Sequence, residues 1–140
     1  MIVIDASLAV KLYLDEPGSE EAIVLIESSA GEISAPDLLV VEVASALVRR
    51  ANIDKHVGDA MQRKLASFAE LASGGAIRLT RASPLDIEAS ASLAIELGHP
   101  LKDCIYLALA MELGCELVTC DARFAAKAKG VWARVRVLGA

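Results

Sequence analysis

Short apolar runs alternate with longer helical patterns along the whole chain. The runs that predict strands are rich in β-branched residues and end in polar or turn-forming residues. They span residues 2–4, 32–35, 76–80, 116–120 and 134–138. The first run, Ile-Val-Ile, has no polar side chain, which is typical of a strand covered on both faces in a parallel sheet.

Apolar residues spaced three and four positions apart fill the intervals between these strands and predict helices. The predicted helices span residues 7–14, 19–29, 38–52, 54–72, 83–97, 102–113 and 121–129. Asp54 and Ser83 are the expected N-caps of two of them, while Gly98 and Gly114 end the two helices that precede them. Strands that alternate with helices predict an α/β fold with a central, mostly parallel sheet and helices on both faces.

The chain length of 140 residues predicts a single domain, 1–140, that can bury a core without disulfides or a structural metal. No apolar run approaches the roughly 20 residues that span a bilayer, and the opening Met-Ile-Val-Ile-Asp has no basic leader. We therefore expect a cytoplasmic protein with no membrane association. The three cysteines, Cys104, Cys115 and Cys120, form no C-x-x-C pair and are expected to be free thiols in the core.

The net charge of −5 argues against a general nucleic-acid binder, because polyanions are usually bound by an excess of Lys and Arg. The charge is nevertheless unevenly distributed. Residues 12–48 contain no Lys or Arg but eight acids, which are Asp15, Glu16, Glu20, Glu21, Glu27, Glu32, Asp37 and Glu42. Residues 122–140 contain no acid and five basic residues, so a local basic surface can coexist with an acidic whole.

Four acids have mainly apolar neighbours, unlike the acids of a solvated surface: Asp5, Glu42, Asp103 and Asp121. Two of them follow predicted strands, where parallel sheets place their ligands. Two carboxylates about 4 Å apart repel by ~4 kcal/mol at an effective dielectric of about 20, so a convergent cluster needs protons or cations. An all-oxygen set without His or Cys suits Mg²⁺ or Mn²⁺.

Each acid also has an ordinary structural explanation. Asp5 and Asp121 could be helix N-caps, Glu42 a half-exposed side chain, and Asp103 a first-turn partner of a helix dipole. The coincidence of all four in one small domain favours a shared site. The two histidines, His56 in a charged helix start and His99 in a Gly-His-Pro turn, are expected at the surface without a catalytic role.

The four acids lie in sequence blocks that resemble those of PIN domains. The blocks are I-V-I-D-A-S, E-V-A-S-A-L, K-D-C-I-Y-L-A-L-A-M-E-L-G-C and L-V-T-C-D-A-R-F. Together they cover essentially the whole chain, and they are most similar to VapC-type toxins of toxin–antitoxin pairs. The resemblance implies a three-layer α/β/α fold. It also implies a metal-binding set of Asp5, Glu42, Asp103 and Asp121, with Thr119 as an additional site hydroxyl.

The resemblance further implies an endoribonuclease that uses Mg²⁺, or Mn²⁺, to hydrolyse RNA and leave 5′-phosphate and 3′-hydroxyl ends. It implies a cognate VapB-type antitoxin and a homodimer, and the acidic stretch 12–48 could receive a basic antitoxin segment. Arg123, Lys127 and Lys129 are candidates for phosphate contacts, or they only solvate their helix. Ser7 is either an N-cap or a site contact, and Thr119 either orients a metal-bound water or is an ordinary strand residue.

Two alternative functions could also account for a set of acids at the ends of strands. One is a regulatory PIN-like module that binds metal or a partner without catalysis. The second is a phosphate enzyme of a different class, such as a receiver domain or a dehalogenase-type phosphatase. The residues disfavour the second, because Asp5 is followed by Ala6 and Ser7 rather than by the second acid of a D-x-D motif. Neither a P-loop nor a G-x-G-x-x-G sequence is present.

Overall fold

Five short strands form one parallel sheet in the computed structural model, which describes residues 1–139. The strands are β1 (Ile2–Ile4), β2 (Ile33–Pro36), β3 (Arg78–Thr80), β4 (Glu116–Thr119) and β5 (Val135–Val137). Their order across the sheet is β3-β2-β1-β4-β5, which makes β1 the central strand. The predicted α/β class with a mostly parallel sheet is confirmed, since every pairing between these strands is parallel.

Helices flank this sheet in a three-layer α/β/α arrangement. They are α1 (Ala6–Ala9), α2 (Ser19–Ser28), α3 (Leu38–Ile53), α4 (Gly58–Ser73), α5 (Pro84–Leu97), α6 (Leu101–Leu113) and α7 (Ala122–Ala128). One 3₁₀ turn, Val10–Leu12, follows α1, and a second, Lys55–Val57, precedes α4. No helix among residues 1–139 has both the length and the apolar character needed to cross a membrane.

The core lies on both faces of the central strands. Val3 and Ile4 of β1 are fully buried, as the uninterrupted apolar run predicts. Helix α3 buries Leu39, Val43 and Leu47, which lie four residues apart on one helix face. Burial of this face fixes the rotation of α3 about its axis and therefore the direction in which its other side chains point.

The register of β1 and β4 brings two chain segments to the same edge of the sheet. Ile4 pairs with Val118 in the parallel ladder, so the residues after each strand emerge side by side. Asp5 follows β1 directly, and Thr119 is the last residue of β4. This edge is the carboxyl end of the sheet, where parallel α/β folds hold their ligands.

Several predicted element ends differ from the structure. The predicted helix 7–14 divides into α1 and a 3₁₀ turn, and the predicted strand 116–120 ends at Thr119. Asp54 caps the 3₁₀ turn Lys55–Val57 instead of α4, because its carboxylate accepts from the backbone N–H of His56, only two residues further on. Ser83 does cap its predicted helix, in a reciprocal pair of hydrogen bonds with Asp86.

The three cysteines are free thiols, as predicted. Cys104 and Cys115 are buried, whereas Cys120 is only half-buried. The prediction of a core position is therefore confirmed only in part for Cys120, which packs against the core from its margin.

Candidate active site

Asp5 is a buried carboxylate held entirely by neighbouring donors. It is 4% exposed and accepts hydrogen bonds from the Ser7 hydroxyl at 2.6 Å, the Thr119 hydroxyl at 2.5 Å and the Leu8 backbone N–H at 3.2 Å. The last bond makes Asp5 the N-cap of α1. The capping explanation therefore holds for Asp5, and the capping role leaves its second oxygen bonded to Thr119.

Burial dominates the ionisation of Asp5. Desolvation raises the pKa of this carboxyl from 3.8 to about 6, although the hydrogen bonds from Ser7, Thr119 and Leu8 oppose the rise. The negative charge of Asp103 makes a smaller contribution to the same rise. Asp103 is therefore close enough to Asp5 to interact with it electrostatically.

A hydroxyl network joins the segment after β1 to the segment after β4. Ser7 Oγ lies 3.2 Å from Thr119 Oγ1 and accepts from the Cys120 backbone N–H at 2.9 Å. Thr119 Oγ1 accepts from the Asp121 backbone N–H at 3.0 Å while it donates to Asp5. Ser7 is thus not an N-cap, because it lies within α1 and its hydroxyl bonds across to the neighbouring strand.

Asp121 is the N-cap of α7. Its Oδ1 accepts from the backbone N–H of Phe124 at 2.9 Å, as the ordinary capping explanation predicts. The side chain is half-buried and lines a cavity at the carboxyl end of the sheet. Asp121 therefore both caps α7 and lines the cavity.

Glu42 points from α3 toward α6. Its Oε1 accepts from the buried Tyr106 hydroxyl at 2.7 Å, and its Oε2 lies 3.5 Å from Lys102 Nζ. Burial raises the pKa of Tyr106, and the negative charges of Glu42, Asp5 and Asp103 raise it further. These three acids thus act on one buried phenol, although they come from three different elements.

Asp103 has a histidine partner. His99 Nε2 and Asp103 Oδ2 are within hydrogen-bonding distance at 2.7 Å. The His99 ring also stacks on Phe124 with a centroid distance of 4.7 Å, and its side chain is only 9% exposed. The prediction that His99 lies at the surface is therefore wrong, whereas His56 is exposed as predicted.

A cavity of about 720 Å³ opens beside these residues. Its wall includes Ser7, Glu42, Cys120 and Asp121. The same wall carries four basic residues, which are Lys11, Arg49, Arg50 and Lys102. Acidic and basic side chains therefore line one opening at the carboxyl end of the sheet.

Sequence reasoning missed these basic residues. Arg49 and Arg50 lie at the C-terminal end of α3, where basic side chains are also favourable partners of the helix dipole. A signal was present, because Arg49 and Arg50 follow Glu42 by seven and eight positions and thus share its helix face. Recognising it required the knowledge that this face of α3 borders the cavity.

The basic residues of α7 do not line this cavity. Lys127 Nζ donates to the Gly98 carbonyl at 2.8 Å and thereby links α7 to the end of α5. Arg123 and Lys129 are exposed outside the cavity wall. They follow Asp121 on or next to α7 as predicted, and their contact with phosphate stays a prediction.

The oxygen donors of the site suit a hard divalent cation. Four carboxylates and two hydroxyls lie near this edge of the sheet, and burial raises the pKa of the Cys120 thiol beside them to about 11, which keeps it protonated. Within residues 1–139, no three His, Cys, Asp or Glu side chains lie close enough together to hold one ion. Glu42 Oε1 and Asp103 Oδ2 are bonded to Tyr106 and His99, and outer hydrogen bonds of this kind orient the carboxylates of metal sites.

Comparison with known proteins gives a family match across most of the chain. The PIN domain model matches residues 2–130. No curated protein sequence matches the chain significantly.

Solved structures share the fold at low sequence identity. PAE2754 from Pyrobaculum aerophilum is 22% identical with a TM-score of 0.71, over 94% of this chain and 87% of that one. VapC20 from Mycobacterium tuberculosis, a toxin that cleaves the sarcin-ricin loop, is 17% identical with a TM-score of 0.74, over 90% and 94%. A chain of a toxin–antitoxin complex from Klebsiella pneumoniae is 18% identical with a TM-score of 0.69, over 98% and 97%.

Proposed function

Because this chain belongs to the PIN domain family, we propose that it is a metal-dependent endoribonuclease and the toxin of a VapBC-type toxin–antitoxin pair. The proposal fits a cytoplasmic location, where cellular RNA is accessible. Its structural support is the cavity at the carboxyl end of the sheet, which is lined both by Glu42 and Asp121 and by basic side chains.

The proposed ion is Mg²⁺ or Mn²⁺. Its proposed ligands are Asp5, Glu42, Asp103 and Asp121. When bound, such an ion neutralises phosphate charge and lowers the pKa of water. Within the chain, Thr119 and Ser7 keep the Asp5 carboxylate oriented through their hydrogen bonds. Thr119 is fully buried and its hydroxyl already serves Asp5 and the Asp121 amide, so we assign it a positioning role.

The proposed reaction is hydrolysis of a phosphodiester. The oxygen of water forms a bond to phosphorus, the bond from phosphorus to the 3′ oxygen breaks, and that oxygen leaves with a proton. The products are a 5′-phosphate and a 3′-hydroxyl. Lys102 lines the cavity beside Glu42, so its ammonium group can approach the scissile phosphate.

The proposal includes a VapB-type antitoxin and a homodimer. The Klebsiella structure, in which a similar chain occurs in a toxin–antitoxin complex, supports the antitoxin. Helix α2 offers a suitable surface, because exposed Glu20 and Glu21 lie beside the exposed apolar side chains Ile23 and Val24. Reversal of both acids to lysine should weaken copurification of a basic partner, and unchanged copurification would remove α2 from the interface.

Cleavage of RNA by the purified chain tests the enzymatic proposal. We expect cleavage with Mg²⁺ or Mn²⁺ that stops in EDTA, with product ends mapped by ligation and sequencing. Asp5→Asn should abolish it, while Asp59→Asn, at an exposed acid of α4, should keep it. Metal binding without cleavage would instead support a regulatory PIN-like module.

A further inference from the structure

Two adjacent arginines at the end of α3 are the least engaged cations of the cavity. Arg49 and Arg50 are exposed, line the cavity and have no ion-pair partner among residues 1–139. The two remaining cations of this wall are already engaged. Lys11 contacts Glu16 at 3.3 Å and the Pro17 carbonyl at 2.8 Å, and Lys102 pairs with Glu42.

The position of these arginines along α3 separates them from the acidic part of the site. They follow Glu42 by seven and eight residues, which corresponds to about 10 to 12 Å along the helix axis. One phosphate group cannot span this offset. A phosphate bound beside Glu42 would therefore leave both guanidinium groups free to bind another anion.

We propose that Arg49 and Arg50 form a binding site for an RNA phosphate that neighbours the scissile one; this rests on the proposed ribonuclease function. The ligand is the phosphate backbone of a single strand that continues out of the cavity. The guanidinium group suits this ligand, because its planar set of donors binds two phosphate oxygens at once. The chain needs such a site, since its net charge of −5 provides no general attraction for RNA.

Two substrates separate this site from the reacting centre. A mixed-sequence single-stranded RNA oligonucleotide has neighbouring phosphates, whereas bis(p-nitrophenyl) phosphate has one phosphodiester and none beside it. In the Arg49→Gln/Arg50→Gln variant we expect KM for the oligonucleotide to rise at least about tenfold, since this is the effect of losing even one hydrogen bond between charged groups. Its kcat, and the hydrolysis of bis(p-nitrophenyl) phosphate, should change less than about twofold.

Salt dependence provides a second readout. The slope of log affinity against log salt should fall by about 0.7 for each single-strand phosphate that the variant no longer neutralises. Arg78→Gln is the matched control, because Arg78 is exposed at the N-terminal end of β3 and does not line the cavity. The double Arg→Lys variant should recover part of the affinity, since lysine keeps the charge but not the paired donors.

Three results would overturn the inference. One is an unchanged KM and salt slope for RNA. A second is an equal loss with both substrates. The third is a loss of affinity only for a protein partner, which would make the arginines an antitoxin contact. If the unsubstituted chain hydrolyses neither substrate, the proposed function fails, and fluorescence anisotropy with the oligonucleotide then decides the inference: equal affinity of the chain and the double variant overturns it.

Discussion

The hydroxyl of Thr119 donates a hydrogen bond of 2.5 Å to Oδ2 of Asp5 across neighbouring strands. Thr119 is fully buried, and its oxygen also accepts from the backbone N–H of Asp121. One side chain therefore connects an acid after β1 with an acid after β4. The arrangement of these two acids depends on a hydroxyl that has no access to solvent.

Thr119→Val should both destabilise the protein and weaken ion binding. The substitution keeps the shape of the side chain but leaves Asp5 and the Asp121 amide each without one partner. Loss of a partner for buried polar groups costs about 1–3 kcal/mol. Urea denaturation in EDTA measures this cost, and Mg²⁺ titration by calorimetry measures the affinity.

Thr80→Val provides the control for this substitution, because Thr80 ends β3 at the far side of the sheet order. It should leave Mg²⁺ affinity unchanged. If Thr119→Val binds Mg²⁺ as tightly as the unsubstituted chain, Thr119 does not position Asp5 for ion binding.

The buried Asp5 carboxyl should make the metal-free protein less stable as the pH rises. Its folded pKa of about 6 lies above the ordinary value of 3.8, so the folded state binds the proton more tightly than the unfolded state. This contribution to stability is complete below about pH 4 and lost as the pH rises through about 6. The total change is about 3 kcal/mol at 1.36 kcal/mol for each pKa unit.

The comparison with Asp5→Asn isolates this contribution, because all the other titrating groups are common to both proteins. The difference in their free energies of unfolding, measured with urea in EDTA, should shift in favour of the variant by up to about 3 kcal/mol between pH 4 and pH 7. A difference that does not depend on pH would show that Asp5 ionises normally in the folded chain.

His99 should act as a positioning residue for Asp103. Removal of the imidazole in His99→Ala takes away the histidine partner of this carboxylate and its stacking contact with Phe124. Loss of such an outer partner typically lowers metal affinity or activity about 10- to 100-fold. His99→Gln should recover part of the Mg²⁺ affinity, because its amide nitrogen can reach a position similar to Nε2.

Calorimetric Mg²⁺ titration at one temperature, well below the melting temperature of every variant, separates positioning from stability. His56→Ala is the control, since His56 is exposed. Equal loss of affinity in His99→Ala and His99→Gln, or no loss in either, would contradict the positioning role.

The sequence was sufficient to predict the sheet and the neighbourhood of two acids. The apolar run of β1 and the passage from strand to helix at Asp5 and Asp121 are local signals, and parallel pairing brings such strand ends together. Glu42 is half-buried at the margin of the α3 face, which agrees with local periodicity because the buried Leu39 and Val43 lie on the same side of the helix. The role of all four acids as an ion-binding set stays a prediction.

Several features of the site depend on tertiary contacts that no local pattern contains. His99 lies inward because Gly98 ends α5 in the left-handed conformation, with φ of 61°, and Phe124 from a distant helix receives the ring. The arginines of α3 belong to the cavity because α3 packs against α1. Of the basic tail residues, Lys127 is bonded to Gly98, Arg134 to the Gly114 carbonyl and Arg136 to Glu116.

Cleavage of RNA should depend on pH through the Asp5 carboxyl. An ion competes with the proton for this group, so binding of the ion is weakened where the carboxyl is protonated. With the pKa of Asp5 raised to about 6, the apparent Mg²⁺ affinity at pH 5 should be about tenfold below its value at pH 7. Initial rates at several Mg²⁺ concentrations between pH 5 and 8 measure this change in affinity directly.

At saturating Mg²⁺ the acid limb of the pH–rate profile should move to lower pH, because the ion favours the ionised carboxylate. An acid limb that keeps the same midpoint at every Mg²⁺ concentration would show that the group whose protonation stops cleavage is not an ion ligand.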